Sequence, residues 1–266
     1  MARISLALLF VYLSISYAQP SGKSIILKME QQMKPVDIEM DFKMTLISKN
    51  KKNKKKTHFR KMKQFEKRYQ GGKFNSKLLL RFIEPKEVRG YSLLNWDWAG
   101  EKNDDQWLYL PKLRKVKRIK PSEISRNFQG TEFTYGDFVG REVNLDNYEL
   151  ISNDVFNGDE CYLVRATPND DSSYKARILW IDKKFYLIRK IEFYNSKDEK
   201  VKILEITNYV KNNQYWTPTK KIMENLLNGN ITEMEVLKVS YDQGLKDNLF
   251  SEKGLKRFLI NNRYQV

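Results

Sequence analysis

Side chains that commonly carry out chemistry are few in this sequence. His58 is the only histidine and Cys161 the only cysteine, so there is no zinc-binding pattern and no intramolecular disulfide. Acidic pairs occur at Asp104-Asp105, Asp159-Glu160 and Asp170-Asp171, but they lack the spacing of a calcium-binding loop. The chain has no nucleophile elbow and no phosphate-binding loop. The sequence therefore predicts a protein with no cofactor, no metal and no enzymatic activity.

The chain is strongly basic, with 49 Lys and Arg residues against 33 Asp and Glu residues. The basic side chains concentrate in two runs, residues 51–56 and 112–120. Such runs can contact anionic lipids, a membrane surface or an acidic partner, or they can keep a sheet protein soluble. In the second run we predict that an anionic membrane surface is contacted by Lys112, Arg114, Lys115, Lys117 and Arg118.

Residues 1–18 have the pattern of a cleaved secretory signal. Arg3 precedes an apolar run over residues 4–15, and a small residue, Ala18, precedes Gln19. The apolar run is too short to span a bilayer comfortably. We therefore predict a signal peptide at residues 1–18 and a single exported, periplasmic domain at residues 19–266. With no cysteine near the cleavage site, lipidation is not expected, and an exported chain without a nucleic-acid motif is not expected to bind nucleic acid.

Alternation of apolar and polar residues predicts a mainly β fold. In residues 36–46 every second residue is apolar, from Ile38 to Leu46, which is the period of a half-buried strand. Similar runs follow along the chain, separated by short polar turns such as Asn157-Gly158. Consecutive strands with tight turns form an antiparallel meander. We predict a curved antiparallel sheet of about 11 strands that forms a half-open β-barrel.

Few elements are available to cover such a sheet. The sequence predicts a helix over residues 24–33, with Ser24 as its cap, and short irregular or helical pieces around residues 122–126 and Arg141. These pieces leave apolar concave surface unfilled, and concave apolar surfaces are typical ligand sites. The residues predicted to line this cavity are Met40, Phe42, Met44, Leu78, Leu80, Phe82, Trp96, Trp98, Trp107 and Tyr109. An ordinary filled core would use the same residues.

Three consecutive motifs form the most distinctive part of the chain. Residues 104–111 read D-x-x-W-L-Y-L-P, residues 113–119 read L-R-K-V-x-R-I, and residues 128–138 read F-x-G-T-x-F-T-Y-x-D-F. This pattern resembles the outer-membrane lipoprotein-sorting family, the LolA-like proteins, in particular the branch that includes an uncharacterised treponemal lipoprotein. Residues 80–94 and 247–255 fit the same resemblance, which covers most of the chain after residue 24.

The resemblance implies a half-open barrel that holds lipoprotein acyl chains or another envelope lipid and passes them towards the outer membrane. It also implies an RND-type exporter as a transport partner. In the sorting family a strand arginine holds the lid, and Arg60 and Arg81 are the candidates by position. Two other functions stay open at this point. One is a LolA-like sensor or adaptor module that binds an envelope protein partner, and the other is a structural envelope protein.

Overall fold

The alternating segments form one antiparallel sheet in a computed structural model of the chain, which describes residues 19–49, 54–100, 103–170 and 172–257. Within these residues the sheet has thirteen strands: β1 (Asp37–Lys49), β2 (Lys55–Arg68), β3 (Phe74–Glu84), β4 (Ser92–Trp98), β5 (Asp105–Leu110), β6 (Lys115–Arg118), β7 (Asp146–Phe156), β8 (Asp159–Pro168), β9 (Ala176–Asp182), β10 (Ile188–Tyr194), β11 (Lys200–Asn212), β12 (Tyr215–Asn225) and β13 (Asn230–Tyr241). The same part of the chain contains two α-helices, α1 (Gly22–Glu30) and α2 (Glu252–Lys256).

The strands follow one another across the sheet in the order β6-β5-β4-β3-β2-β1-β13-β12-β11-β10-β9-β8-β7. Every neighbouring pair is antiparallel. Because β6 and β7 are edge strands, the curved sheet stays unclosed. In its middle, β1 pairs with β13 from Ile38 opposite Tyr241 to Ile47 opposite Ile231. This one ladder joins the meander β1–β6 to the meander β7–β13, and the arrangement has the form of the predicted half-open barrel.

The predicted number of strands, about 11, was too low. One strand that the sequence pattern does not reveal is β4, which pairs with β3 and β5. Its sequence, SLLNWDW, places apolar residues on both faces, so the two-residue period is hidden. The reason is structural, since this part of the sheet is covered on both sides and both faces of β4 contribute to a core.

The turns follow the chemistry predicted for tight hairpins. Between β7 and β8, Asn157 and Gly158 have φ angles of 51° and 89°. Positive φ at both central positions is the geometry of a type I′ turn, which matches the twist of the strands it joins. Asparagine and glycine adopt this geometry at little cost, so residues 157 and 158 fix where β7 ends and β8 begins.

The two faces of the sheet pack against different parts of the chain. We call inner the face that carries Met44, Leu80 and Leu93, which belong to the largest apolar cluster of the described residues. The outer face carries Leu79 and Leu94, which belong to a second cluster formed with α2 and the segment before it. Neighbouring residues on one strand therefore enter different cores.

Helix α1 covers the inner face at the β7 end of the sheet. Its Ile25 and Ile26 pack against residues of β8 and β9. The helix begins two residues earlier than predicted because Ser21, whose Oγ accepts a hydrogen bond from the Ser24 amide at 3.2 Å, is the cap. Gly22 allows the close approach: a Cβ there would lie 2.8 Å from the backbone of β7. The helix ends at Glu30, before Met33.

Two predictions concern residues outside the described ranges. The predicted signal peptide, residues 1–18, lies outside them, as do residues 51–53 of the lysine-rich run. Within the described ranges, no helix has the length and hydropathy needed to cross a bilayer.

Candidate ligand-binding site

The inner face brings together six of the ten residues predicted to line a cavity. Met40, Phe42, Met44, Leu78, Leu80 and Phe82 all belong to its apolar cluster. Strand pairing gives the reason, since Met44 lies opposite Met234, and Phe42 lies opposite Met62. Further members that the prediction missed include Leu93, Leu108, Met223 and Met234. Methionine, with its flexible and polarisable side chain, suits a site that adapts to irregular apolar groups.

This apolar surface continues across the sheet towards α1. A row of directly paired residues crosses β8 to β12 on the inner face: Val164, Leu179, Ile191, Leu204 and Met223. Ile191 packs against both the main inner cluster and the cluster under α1. The inner face is therefore one extended apolar surface.

The other four predicted lining residues lie on the outer face. Trp96, Trp107 and Tyr109 pack against the outer cluster, and the Trp96 indole donates to the Phe250 carbonyl at 2.9 Å. Trp98 contacts Trp96 edge to face, with 5.9 Å between ring centroids. Tyr109 does line a cavity of about 270 Å³, together with Arg81, Arg89, Gly90, Pro111, Leu255 and Lys256, but this cavity lies beside α2. The expectation that all ten residues share one face is therefore wrong.

A short segment, residues 121–138, covers the inner face; we call it the cover. It consists of three 3-10 turns, Pro121–Glu123, Phe128–Gly130 and Gly136–Phe138. Phe128 is fully buried and stacks on Phe82 of β3 with 5.3 Å between ring centroids. Phe138 meets Phe128 edge to face at 5.2 Å. The aromatic residues of the central motif thus fill the middle of the inner face, in agreement with the cover predicted near residues 122–126.

Arg60 of β2 ties the cover to the sheet. Its Nη1 donates to the Gln129 carbonyl at 2.5 Å, and its guanidinium lies 5.3 Å from the centre of the Phe82 ring. Burial lowers the pKa of Arg60. Of the two arginines considered from the sequence, Arg60 therefore contacts the cover. Arg81 lies on the outer face, where its Nη2 donates to the Gly254 carbonyl at 2.8 Å.

A second polar anchor of the cover is centred on the buried Glu132. Its carboxylate accepts hydrogen bonds from Asn225 at 2.8 Å and Asn230 at 3.1 Å. Its amide donates to Thr232 Oγ1 at 2.9 Å, and its carbonyl accepts from Lys202 Nζ at 2.7 Å. Burial lowers the pKa of Lys202, although nearby acidic groups act in the opposite direction. The cover is thus joined to the sheet by polar contacts as well as by its buried aromatic residues.

The inner face becomes polar near β4 and β5. Asn95 and Gln106 lie opposite each other, and Asn95 Nδ2 donates to Asp104 Oδ2 at 3.1 Å. Burial raises the pKa of Asp104 to about 6; the Asn95 hydrogen bond acts against this rise, and the charges of Asp97 and other carboxylates add to it.

The Asp104 carboxyl makes folding depend on pH. Since the usual value is 3.8, the unfolded state releases the proton at lower pH than the folded state, and stability falls as the pH rises from about 4 to 6. Asp104→Asn is expected to abolish this fall and to raise the free energy of unfolding at pH 7 by about 1 kcal/mol, less than the full pKa difference because the group is partly exposed. Urea unfolding at pH 4 and pH 7 measures both effects. An unchanged pH dependence would contradict the assignment.

The five basic residues predicted to contact an anionic surface are exposed at the edge of the sheet, on β6 and the turn before it. Lys117 pairs with Glu123 at 2.7 Å, and Arg118 pairs with Asp105. Leu113, in the middle of this basic edge, is 63% exposed. The edge thus combines positive charge with one exposed apolar side chain.

Comparison with known proteins adds three findings. A family model described as that of an uncharacterized protein matches residues 74–257. A domain from Vibrio parahaemolyticus assigned as an outer membrane lipoprotein-sorting protein is 30% identical, with 89% of this chain and 98% of that domain covered and a TM-score of 0.81. A DUF1329 family protein from Desulfovibrio piger is 27% identical over 88% of this chain and 97% of that one, with a TM-score of 0.81.

A more distant structure shares the fold. A LolA superfamily protein from Nitrosomonas europaea is 18% identical, with 89% of this chain and all of that chain covered and a TM-score of 0.68. The search of curated proteins gives no match.

Proposed function

Because this chain belongs to the outer-membrane lipoprotein-sorting family and has a LolA-like fold, we propose that it carries a lipid, or the acyl chains of a lipoprotein, without chemical change. The observation that carries the proposal is the extended apolar inner face, covered in its middle by an irregular segment. Ligand-binding loops and lids are commonly segments of low local stability, and an irregular segment over an apolar face fits that role.

In this proposal the empty protein is closed by its own aromatic residues. Phe128 and Phe138 occupy the space above Phe82, and an acyl chain would replace them when the cover moves away. Apolar groups of either origin gain free energy by leaving water. When a ligand replaces the cover, the inner face therefore stays buried and the free energy changes little. A small change suits a carrier, which must both load and release its ligand.

Native mass spectrometry with organic extraction tests the proposal directly. Protein purified gently from its own envelope is expected to carry a stoichiometric phospholipid, lipopolysaccharide fragment or acylated peptide. A loaded protein that transfers its lipid to acceptor vesicles would support a carrier, whereas one that retains the lipid and binds an envelope protein would support the sensor. A protein that is empty and also takes up no fluorescent fatty acid would overturn the proposal.

The proposal extends to location and partners. We place the protein in the periplasm as one domain, residues 19–266, after removal of a signal peptide at residues 1–18, which N-terminal sequencing of the mature protein checks. An RND-type exporter is the proposed transport partner, on the strength of the family resemblance. Cross-linking in the intact envelope, followed by identification of the captured membrane protein, checks this partner.

The basic edge is proposed to contact the membrane. Replacing Lys112, Arg114 and Lys115 by glutamine is expected to weaken binding to vesicles containing anionic lipid by at least about tenfold, since each basic residue near such a surface contributes about 1 kcal/mol. Vesicle sedimentation at low and physiological salt measures the change. The matched control replaces three exposed lysines elsewhere, Lys184, Lys197 and Lys220, with the same loss of charge. Equal weakening by both sets would show a general charge effect.

A further inference from the structure

We propose that Asn95 and Gln106 form a polar subsite on the inner face that binds a neutral hydrogen-bonding group of an amphiphilic ligand, such as an ester, an amide or a hydroxyl. The inference rests on the proposed function, because the apolar chains of the same ligand would occupy the rest of the inner face. It adds to that function a preference for the chemistry of the ligand's head.

Strand geometry places both amides on the inner face. Asn95 and Gln106 are directly paired between β4 and β5. Each alternates along its strand with a leucine of the inner cluster, Leu93 on β4 and Leu108 on β5. Side chains two residues apart on a strand point to the same side of the sheet. The two amides therefore extend the apolar surface that begins with Leu80, which lies opposite Leu93.

These amides are buried without being satisfied. Each residue is only 2% exposed. Among the described residues, Gln106 Nε2, Gln106 Oε1 and Asn95 Oδ1 have no hydrogen-bond partner, whereas Asn95 Nδ2 donates to Asp104. An amide buried in this way opposes folding, and a leucine or methionine would suit the position better. The two free N–H groups of Gln106 and the two free amide oxygens are complementary to a group that has both a carbonyl and an N–H or O–H.

The surrounding charges favour a neutral group. The carboxyl group of Asp104 accepts a hydrogen bond from Asn95 at 3.1 Å, and the charges of Asp97 and Glu142 also act on Asp104. A phosphate or carboxylate bound beside Asn95 would therefore be repelled by Asp104. The two amides carry no charge that could offset the repulsion. A glycerol ester or an amide-linked acyl chain meets both requirements, because it offers hydrogen bonds without negative charge.

The test compares two ligands that share one acyl chain. 1-Palmitoylglycerol has neutral ester and hydroxyl groups, and its 3-phosphate carries a negative charge; both are titrated against an alkyl-pyrene reporter that has no polar head. Wild-type protein is expected to bind palmitoylglycerol about tenfold more tightly than the phosphate. Gln106→Leu is expected to bind palmitoylglycerol about tenfold more weakly than wild type, to bind the reporter as wild type does, and to unfold at a higher temperature.

Gln64→Leu is the matched control, since Gln64 of β2 lies opposite Met40 on the same face but its side chain donates to Glu66 at 3.5 Å. It is expected to keep the affinity of wild-type protein for palmitoylglycerol. A Gln106→Leu protein that also keeps it would overturn the subsite and leave the proposed carrier intact. Failure of wild-type protein to bind even the reporter would overturn the carrier itself, and the subsite with it.

A measurement on wild-type protein covers the case in which Gln106→Leu does not fold. The carbonyl stretch of bound 13C-labelled palmitoylglycerol is expected at a lower frequency than in an apolar solvent, because Gln106 Nε2 donates a hydrogen bond to the ester. A carbonyl frequency equal to that in an apolar solvent would overturn the proposal and indicate that the amides meet only water.

Discussion

Phe128→Ala is expected to destabilise the protein by about 3 kcal/mol and yet to strengthen binding of an alkyl-pyrene reporter by about tenfold. The loss of stability follows from removing a fully buried aromatic side chain. The gain in binding follows because Phe128 stacks on Phe82, where the ligand is proposed to lie, so its removal weakens the closed state that competes with the ligand. Urea unfolding and fluorescence titration measure the two effects.

Phe250→Ala provides the control for this prediction. Phe250 is 1% exposed and belongs to the outer cluster, so its truncation should cost similar stability. Because it lies on the other face, binding of the reporter should stay as in wild type. If both variants change binding equally, loss of stability alone explains the effect, and the cover does not compete with the ligand.

Arg81→Met is expected to lower the free energy of unfolding by about 3 kcal/mol and to release α2 from the sheet. The buried Arg81 guanidinium donates to Ser92 Oγ at 2.9 Å and to the carbonyls of Gly254 and Leu255 at 2.8 and 3.0 Å. Hydrogen bonds from a charged donor to buried acceptors contribute strongly, and methionine leaves these acceptors unsatisfied. Hydrogen exchange should rise in residues 245–257 before it rises in β1.

Lys61→Met is the comparison for Arg81→Met. Lys61 pairs with Glu84 at 3.1 Å and both side chains are more than half exposed, and exposed ion pairs contribute at most about 1 kcal/mol. This variant should therefore change the unfolding midpoint only slightly and leave hydrogen exchange in α2 unchanged. Protection of residues 245–257 that survives in Arg81→Met would show that apolar packing of Leu255 holds the segment.

The sequence was most informative where one face of a strand is apolar and the other is polar. In β1, Met40, Phe42 and Met44 alternate with Glu39, Asp41 and Lys43, so both the strand and its buried face could be predicted. The inner positions of β3 followed in the same way. An alternating strand reveals its orientation because only one of its faces can enter a core.

Prediction failed where both faces are buried. In β5, Gln106 and Leu108 face the inner side, while Trp107 and Tyr109 face the outer cluster. From the sequence, the large aromatic residues looked like the better cavity lining, whereas the inner positions hold a glutamine and a leucine. The only signal for the second core was the apolar content of residues 247–255, which cover the outer face through Leu249, Phe250 and Leu255.

The polar anchors of the cover could not be predicted from one sequence. Glu132 meets Asn225 across 93 residues of chain, and Arg60 meets Gln129 across 69. Such contacts arise only when the sheet brings distant strands under one segment. Glutamate and asparagine are usually exposed, so the residue types alone predict surface positions for Glu132 and Asn225, although both are buried.

The central β1–β13 ladder has a consequence for the order in which the chain folds. Even its closest pair in sequence, Ile47 and Ile231, is separated by 184 residues, whereas the other neighbouring strands are consecutive along the chain. Contacts between distant residues form late because a long loop must close first. Each meander can assemble locally. Strand β1 is synthesised early, however, and its edge stays unpaired until β13 has been synthesised near the end of the chain. The charged residues Glu39, Asp41 and Lys43 along β1 protect this open edge from pairing with other chains in the meantime.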